Sequence, residues 1–489
     1  MEIFRTGHLA TDRRGARVSQ RLHDVSLRLG TETAIRLCGL ITMPLLARTM
    51  GADGYGLIIG VGSVVGFFAT WGSLGLSYHI GRIVGRGETP SSRRLLRSLL
   101  LIATGSGLAC AAVMTLAAPL LNDWFLRHPD GQMAIMLAGG CLIAACLDGI
   151  LLEWLRLRER YRSLSLIQAG AALVQVAVLA GAVWAGHGPV AALGCMSVVQ
   201  LGRVAMMALL LRGTARAVDM PHGGAPPDLR TCVRDGLTIA LGGLGLWGLS
   251  QGGRLALAHA PAIGNYGAAA ALASAPGIVG SACGLPLYPA LVRAVAANDT
   301  VAVATAVRHY ASIYQTLALP AVAISMVLCG NAIHLLAGRE FAGLGPVCAV
   351  LLVASWLEMT LLPLSYALAA HGWASRTRNA QLAAAMVSLT TAIVCAPHFG
   401  TIGVSAAGLA GQLAMLGLLA WGLRHAGFTW YALIPQRLLR IVAATGTAAL
   451  VALSVPSTTW LGLVISGSAA LCAATLILVF PTPRQRDIA

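Results

Sequence analysis

Apolar residues fall along the chain in fourteen runs, each about 18 residues or longer and broken by short polar stretches. The runs lie at about 31–50, 57–80, 98–121, 133–155, 164–186, 189–211, 237–258, 267–291, 310–336, 344–370, 379–398, 401–423, 438–455 and 459–480. At 1.5 Å per residue each is long enough to cross about 30 Å of hydrocarbon. The predicted fold class is therefore all-α, a polytopic membrane protein with about 14 transmembrane helices.

The polar stretches alternate in character. The odd-numbered connections are short and hold only Arg48, Arg127 and Arg339. The even-numbered connections and both tails hold most of the 34 basic residues, including Arg82, Arg86, Arg93 and Arg94; Arg156, Arg158, Arg160 and Arg162; and Arg376 and Arg378. Positive charge is retained on the cytoplasmic side during insertion, so both termini are expected in the cytoplasm. Arg93-Arg94 and Arg156 to Arg162 either attract anionic headgroups or simply anchor the helices. The longest connection, 212–236, contains Pro221, Gly223, Gly224, Pro226 and Pro227 and reads as a linker.

The same runs carry a repeat. Tyr55-Gly56 recurs 211 residues on as Tyr266-Gly267; Arg82 falls on Arg293, Thr89 on Thr300, Arg97 on Arg308 and Glu88 on Asp299. With one residue more, Gly188 falls on Gly400, Gln200 on Gln412 and Arg212 on Arg424. Six spans per repeat is an even number, so both halves insert the same way round. They should form two six-helix lobes related by a pseudo-two-fold axis along the membrane normal, with two extra C-terminal helices. The expected plan is a cytoplasmic basic arm (1–30), an N-lobe (31–211), an inter-lobe linker (212–236), a C-lobe (237–423), and two final spans with a cytoplasmic tail (424–489).

Composition changes little in this picture. The chain of 489 residues is 57% hydrophobic and 11% charged, with mean hydropathy +0.76. Its 57 Gly suit helices that pack through small residues, and Gly242-Gly243-Leu244-Gly245 lies inside a span as a packing surface rather than a phosphate loop. A net charge of +16 would suit nucleic acid, but the sidedness of the Arg accounts for it, and no nucleic-acid partner is expected. The eleven Cys are scattered, ten of them inside spans and Cys232 in the linker, with no CxxC and no zinc spacing. No metal, cofactor or catalytic constellation is expected. The first 28 residues carry six Arg but no apolar core, unlike a cleaved signal.

A resemblance enters with the first two spans. Span one ends Pro44-Leu45-Leu46-Ala47-Arg48, followed by Gly51-Ala52-Asp53-Gly54-Tyr55-Gly56; span two carries Gly72-Ser73-Leu74-Gly75-Leu76 and closes at Arg82. This resembles the polysaccharide-exporting branch of the multidrug/oligosaccharidyl-lipid/polysaccharide (MOP) exporter superfamily, the Wzx-type flippases. The motifs cover about 30–100, and the duplicated plan extends the likeness over 30–424. The resemblance implies a non-enzymatic flippase in the bacterial inner membrane. Its implied cargo is an undecaprenyl-pyrophosphate-linked oligosaccharide, moved from the cytoplasmic to the periplasmic leaflet for exopolysaccharide, O-antigen or capsule synthesis. It also implies membrane lipid as a partner, with polysaccharide polymerase and export machinery, and H+ or Na+ for coupling, as further candidates.

Polar residues inside the spans are candidates for cargo or coupling, because such residues face a cavity or a partner. Arg203 lies about eight residues, or roughly 12 Å, from the cytoplasmic end of span six, with Gln200 on the same helix face. Its guanidinium either binds pyrophosphate oxygens bidentately or pairs with Asp148 or Glu358. Arg254, with Gln251, repeats the pattern in span seven but lies close enough to the outer end to snorkel. Arg36 and Arg48 in span one complete the candidate binding set; Arg48 also suits a helix-terminal anchor and matches His259 in the repeat. Asp148 and Glu358 sit at nearly equivalent places in spans four and ten and are candidates for coupling or charge pairing. Pro276, Pro286, Pro289, Pro320 and Pro363 are either hinges or features of rigid membrane helices.

Two other readings stay open. One is a cation-coupled multidrug or lipid II exporter of the same superfamily. The other is a membrane-embedded polysaccharide polymerase or glycosyltransferase, which would need a catalytic loop outside the bilayer.

Overall fold

The structure is a computed structural model, and it describes residues 3–77, 92–157, 160–213, 229–284, 286–424, 433–435 and 437–479. Side chains are described from Gly30 onward in the first helix, with Arg36 among the exceptions. The Arg clusters at 82–94, most of the expected linker and the tail beyond 479 lie outside the described side chains.

Every regular element among the described residues is a helix. Ten runs are long and apolar enough to span a membrane, and two of them are split by a glycine of positive φ. Gly51 (φ 69°) divides Ile3–Gly72 into α1 (3–50) and α2 (52–72), and Gly400 (φ 55°) divides Ala374–Leu423 into α11 (374–399) and α12 (401–423). Only glycine takes such a φ at little cost, so these residues turn the chain back without a loop. The other long helices are α3 (Ser92–Leu116), α4 (Gly131–Leu137 and Gly139–Leu157, joined at Ala138), α5 (Tyr161–Trp184), α6 (Pro189–Gly213), α7 (Leu229–Gln251), α8 (Ala260–Ala273, Ala275–Gly284 and Leu287–Ala296), α9 (Thr300–Ala337), α10 (Gly345–Ala370), α13 (Leu438–Ser454) and α14 (Trp460–Val479).

Helix ends differ from the hydropathy reading where capping or glycine decides them. The seventh helix stops at Gln251, seven residues early, because Gly252-Gly253 opens a 3-10 turn, Gly252–Leu257. The ninth begins ten residues early, because the Asp299 side chain caps the Ala302 N–H at 2.8 Å. Helix α8 runs in three pieces, with Pro276 and Pro286 at the joints, where each lacks the N–H that would continue the ladder. Pro320 and Pro363 lie within unbroken helices. The α7 helix begins at Leu229, so Cys232 is helical rather than part of a loop.

Helices α1–α6 and α7–α12 form the two lobes, and α13–α14 pack on α9 through Ala444, Ala448, Ala452, Ala470 and Ala474. The lobes meet where α2 crosses the first piece of α8. A Cβ on Gly56 would lie 1.8 Å from the Ala260 carbonyl oxygen, and one on Gly264 would lie 2.0 Å from that of Ala52. Without side chains in the way the two backbones touch, and van der Waals contact replaces the hydrophobic drive that lipid removes. The repeated Tyr-Gly pair marks this crossing. A second seam runs along α7 against α2 and the turn after it, where Gly243 meets Thr70 and Ile239 meets Gly75.

Candidate functional site

The 3-10 turn after α7 sets the position of Arg254. Gly253 packs so close to α12 that an added Cβ would lie 2.9 Å from Val404 Cγ1. That contact holds the turn against the C-lobe and directs the Arg254 guanidinium across to α2 of the other lobe. Its Nη1 donates to Ser63 Oγ at 3.1 Å and to the Gln251 side-chain carbonyl. Ser63 Oγ also lies 3.3 Å from Gln251 Oε1, and the Trp247 indole N–H donates to the Ser63 carbonyl at 3.1 Å. The guanidinium carbon stands 5.8 Å from the centre of the Tyr266 ring, a cation–π contact. Arg254 Nε is buried with no hydrogen-bond partner. Among the described residues no carboxylate pairs with this arginine.

A half-buried cation whose described partners are neutral dipoles and a ring face is short of one negative charge. Taking such a charge out of water costs several kcal/mol when nothing neutralises it. The arrangement provides free donor capacity at the lobe interface, next to the α2–α8 crossing, and it suits an anionic group.

Arg203 has a different environment. Its Nη2 lies 3.0 Å from Asp148 Oδ1, an ion pair between α6 and α4 inside the N-lobe. Gln200 donates to Gln175 on α5 at 3.1 Å, and Ser197 donates to the Leu137 carbonyl at 2.8 Å. The polar residues of α6 thus join helices of one lobe. Arg48, at the end of α1, donates to the carbonyls of Leu335 and Leu336 on α9. The side chain of Arg36 lies outside the described residues. Glu358 is half-buried on α10, next to a polar group in which Gln315 donates to Thr360 at 3.1 Å and accepts from Trp356 at 2.7 Å; no described cation pairs with it.

The structure therefore joins Gln251 to Arg254, and Arg203 to Asp148, as two separate groups. Sequence reasoning marked Tyr266 only as part of the repeat and did not find Ser63 or Trp247. Trp247 and Gln251 do fall at i and i+4 on one face of α7, three residues or more ahead of Arg254, and that spacing marks its partners on the helix.

Comparison with known proteins now bears on the chain. The profile of the family described as "Polysaccharide biosynthesis protein" matches residues 22–295. The chain belongs to that family. No curated protein matches it by sequence. Among solved structures it is similar to the lipid II flippase MurJ in an inward closed conformation, with TM-score 0.67, 11% identity, and coverage of 92% of this chain and 97% of that one. An inward-facing multidrug resistance MATE transporter of the MOP superfamily matches with TM-score 0.62 and 15% identity, over 80% of this chain and 94% of that one. A MOP superfamily transporter from Pyrococcus furiosus, described by the reversed polarity of its binding pocket, matches with TM-score 0.58 and 14% identity, over 83% and 94%. The fold is that of the MurJ and MATE transporters, and these neighbours are transporters and flippases, not enzymes.

Proposed function

We propose that this protein is a flippase of the Wzx type. In this reading it carries undecaprenyl-pyrophosphate-linked oligosaccharide repeat units across the bacterial inner membrane by alternating access between its lobes. The observation that supports the cargo is Arg254, a half-buried cation at the lobe interface whose partners among the described residues are all neutral. A pyrophosphate supplies the missing charge, and a guanidinium fork binds its oxygens through charge-assisted hydrogen bonds. A cationic drug would be repelled from the same place. The family's link to polysaccharide synthesis supports the glycan.

The barrier to unaided flipping lies in the sugars. Each hydroxyl costs about 4–8 kcal/mol to move into hydrocarbon without a partner, whereas the lipid tail stays in hydrocarbon throughout. A polar path between the lobes is what the headgroup needs. The Arg-rich face is assigned to the cytoplasm by the positive-inside rule. The face with the α1–α2 turn then looks outward, and the α2–α8 crossing closes that side. An inside-negative potential of 100 mV favours outward passage of anionic cargo by about 2.3 kcal/mol per charge, enough to bias direction.

Equilibrium binding of undecaprenyl pyrophosphate to the protein in nanodiscs tests the role of Arg254. Arg254→Gln should weaken binding about 10- to 100-fold, the loss of charged hydrogen bonds, and leave binding of uncharged undecaprenol unchanged. The variant should fold, because it removes an uncompensated, half-buried charge and keeps a side chain of hydrogen-bonding capacity. Equal affinity for the pyrophosphate lipid in wild type and Arg254→Gln would remove the anion assignment.

A further inference from the structure

The outward face contains two charges that reach from one lobe to the helix ends of the other. Arg48 closes α1 in the N-lobe. Its Nε donates to the Leu336 carbonyl at 2.8 Å, and its Nη2 donates to that of Leu335. Both acceptors lie in the last turn of α9, where carbonyls have no partner within the helix and carry the negative end of the helix dipole. In return, Glu340 follows α9 in the C-lobe, and its Oε2 accepts the Ala52 N–H at 2.9 Å. That N–H opens α2, where unpaired donors carry the positive end. Gly51 makes room for this: a Cβ there would lie 2.9 Å from Glu340 Oε2.

Each sign of charge thus sits on the helix end it complements, and the two contacts are four residues apart on each strand of the clasp. Phe341, fully buried, packs edge-on to Tyr55 with ring centres 6.4 Å apart, directly beside the contacts. The repeat shows that the clasp is one-sided. His259, the counterpart of Arg48, turns its ring back to accept from Ala262 N at 3.3 Å on its own helix. Arg48 and Glu340 are both exposed, so water competes for each contact. Contacts of this kind hold a closed state and still release it.

We propose that Arg48 and Glu340 form a latch that holds the outward face closed and opens once in each transport cycle. Arg48 on this reading is a gate residue rather than a cargo ligand. The inference rests on the alternating-access part of the proposed function and not on the identity of the cargo.

The test uses the full chain in right-side-out membrane vesicles. Ile263 is fully buried beneath the latch, beside Gly60 of α2. An Ile263→Cys reporter is labelled with a membrane-impermeant maleimide, and the same protein without the reporter is subtracted. Arg48→Gln and Glu340→Gln should each raise the labelling rate about two- to fivefold, matching the loss of one charge–dipole contact. Arg48→Glu should raise it further, and Arg48→Lys should restore it towards the wild-type rate. Unchanged labelling in both Gln variants would overturn the latch. So would a rise with Arg48→Gln that Lys does not reverse, since bulk rather than charge would then hold the face. Glu340→Gln keeps the shape of an exposed side chain and serves as the variant least able to misfold. The readout involves no cargo, so a wrong cargo assignment leaves it unaffected.

Discussion

Arg254 and Arg203 are both intramembrane guanidiniums following a Gln by three residues, and their surroundings separate them. Arg203 has its countercharge in Asp148 at 3.0 Å; Arg254 has Ser63, Gln251 and a ring face. The sequence allowed both a paired and a cargo-binding Arg203, because hydropathy carries no information on which way a helix is turned about its axis. The pairings that matter here join residues 55, 191 and 288 positions apart, and only packing brings them together. The Arg203–Asp148 pair should behave as a unit. Removing one partner leaves the other charge unpaired and half-buried and should cost about 1–3 kcal/mol. The double variant Arg203→Gln/Asp148→Asn should recover most of that loss. A double-mutant cycle on thermal unfolding in detergent reads the coupling, and additive losses would show that the contact contributes nothing.

At the scale of elements, the spans were legible because run length alone decides what crosses a membrane. Their ends were not, because capping and glycine decide those: Asp299 extends α9 beyond its apolar run, and Gly252-Gly253 ends α7 within one. That early end matters most, since it is what places Arg254 at the interface. The crossing of α2 and α8 was half legible. Tyr55-Gly56 and Tyr266-Gly267 announced a repeated feature, while the contact itself, Gly56 against the Ala260 carbonyl, required both lobes in place. Gly56→Leu cannot be accommodated there by a side-chain shift, because the neighbour is backbone. It should force α2 and α8 apart and raise maleimide labelling of an Ile263→Cys reporter well above that of any latch variant. Labelling at the wild-type rate in a folded Gly56→Leu protein would show that the close crossing does not seal this face.

The whole molecule is a duplicated six-helix lobe with two helices added, and duplication explains both what is symmetric and what is not. The Tyr-Gly pair is shared by the two lobes, whereas Arg254 aligns with Met43, and Arg48 with His259, at the offset of 211 residues. One copy of the fold thus carries Arg254 and the other Arg48, so the proposed cargo site and the proposed latch draw their arginines from opposite lobes. The central claim is that this interface passes a lipid-linked oligosaccharide outward. The most direct measurement is the sidedness of that lipid in a strain lacking the protein, read with an impermeant sugar-modifying probe on inverted vesicles and on intact spheroplasts. The account predicts that repeat units accumulate on the cytoplasmic leaflet and return to the outer leaflet when the wild-type protein, but not Arg254→Gln, is expressed. Normally sided, unpolymerised repeat units on the outer leaflet of the deletion strain would contradict it and point to a later step of synthesis.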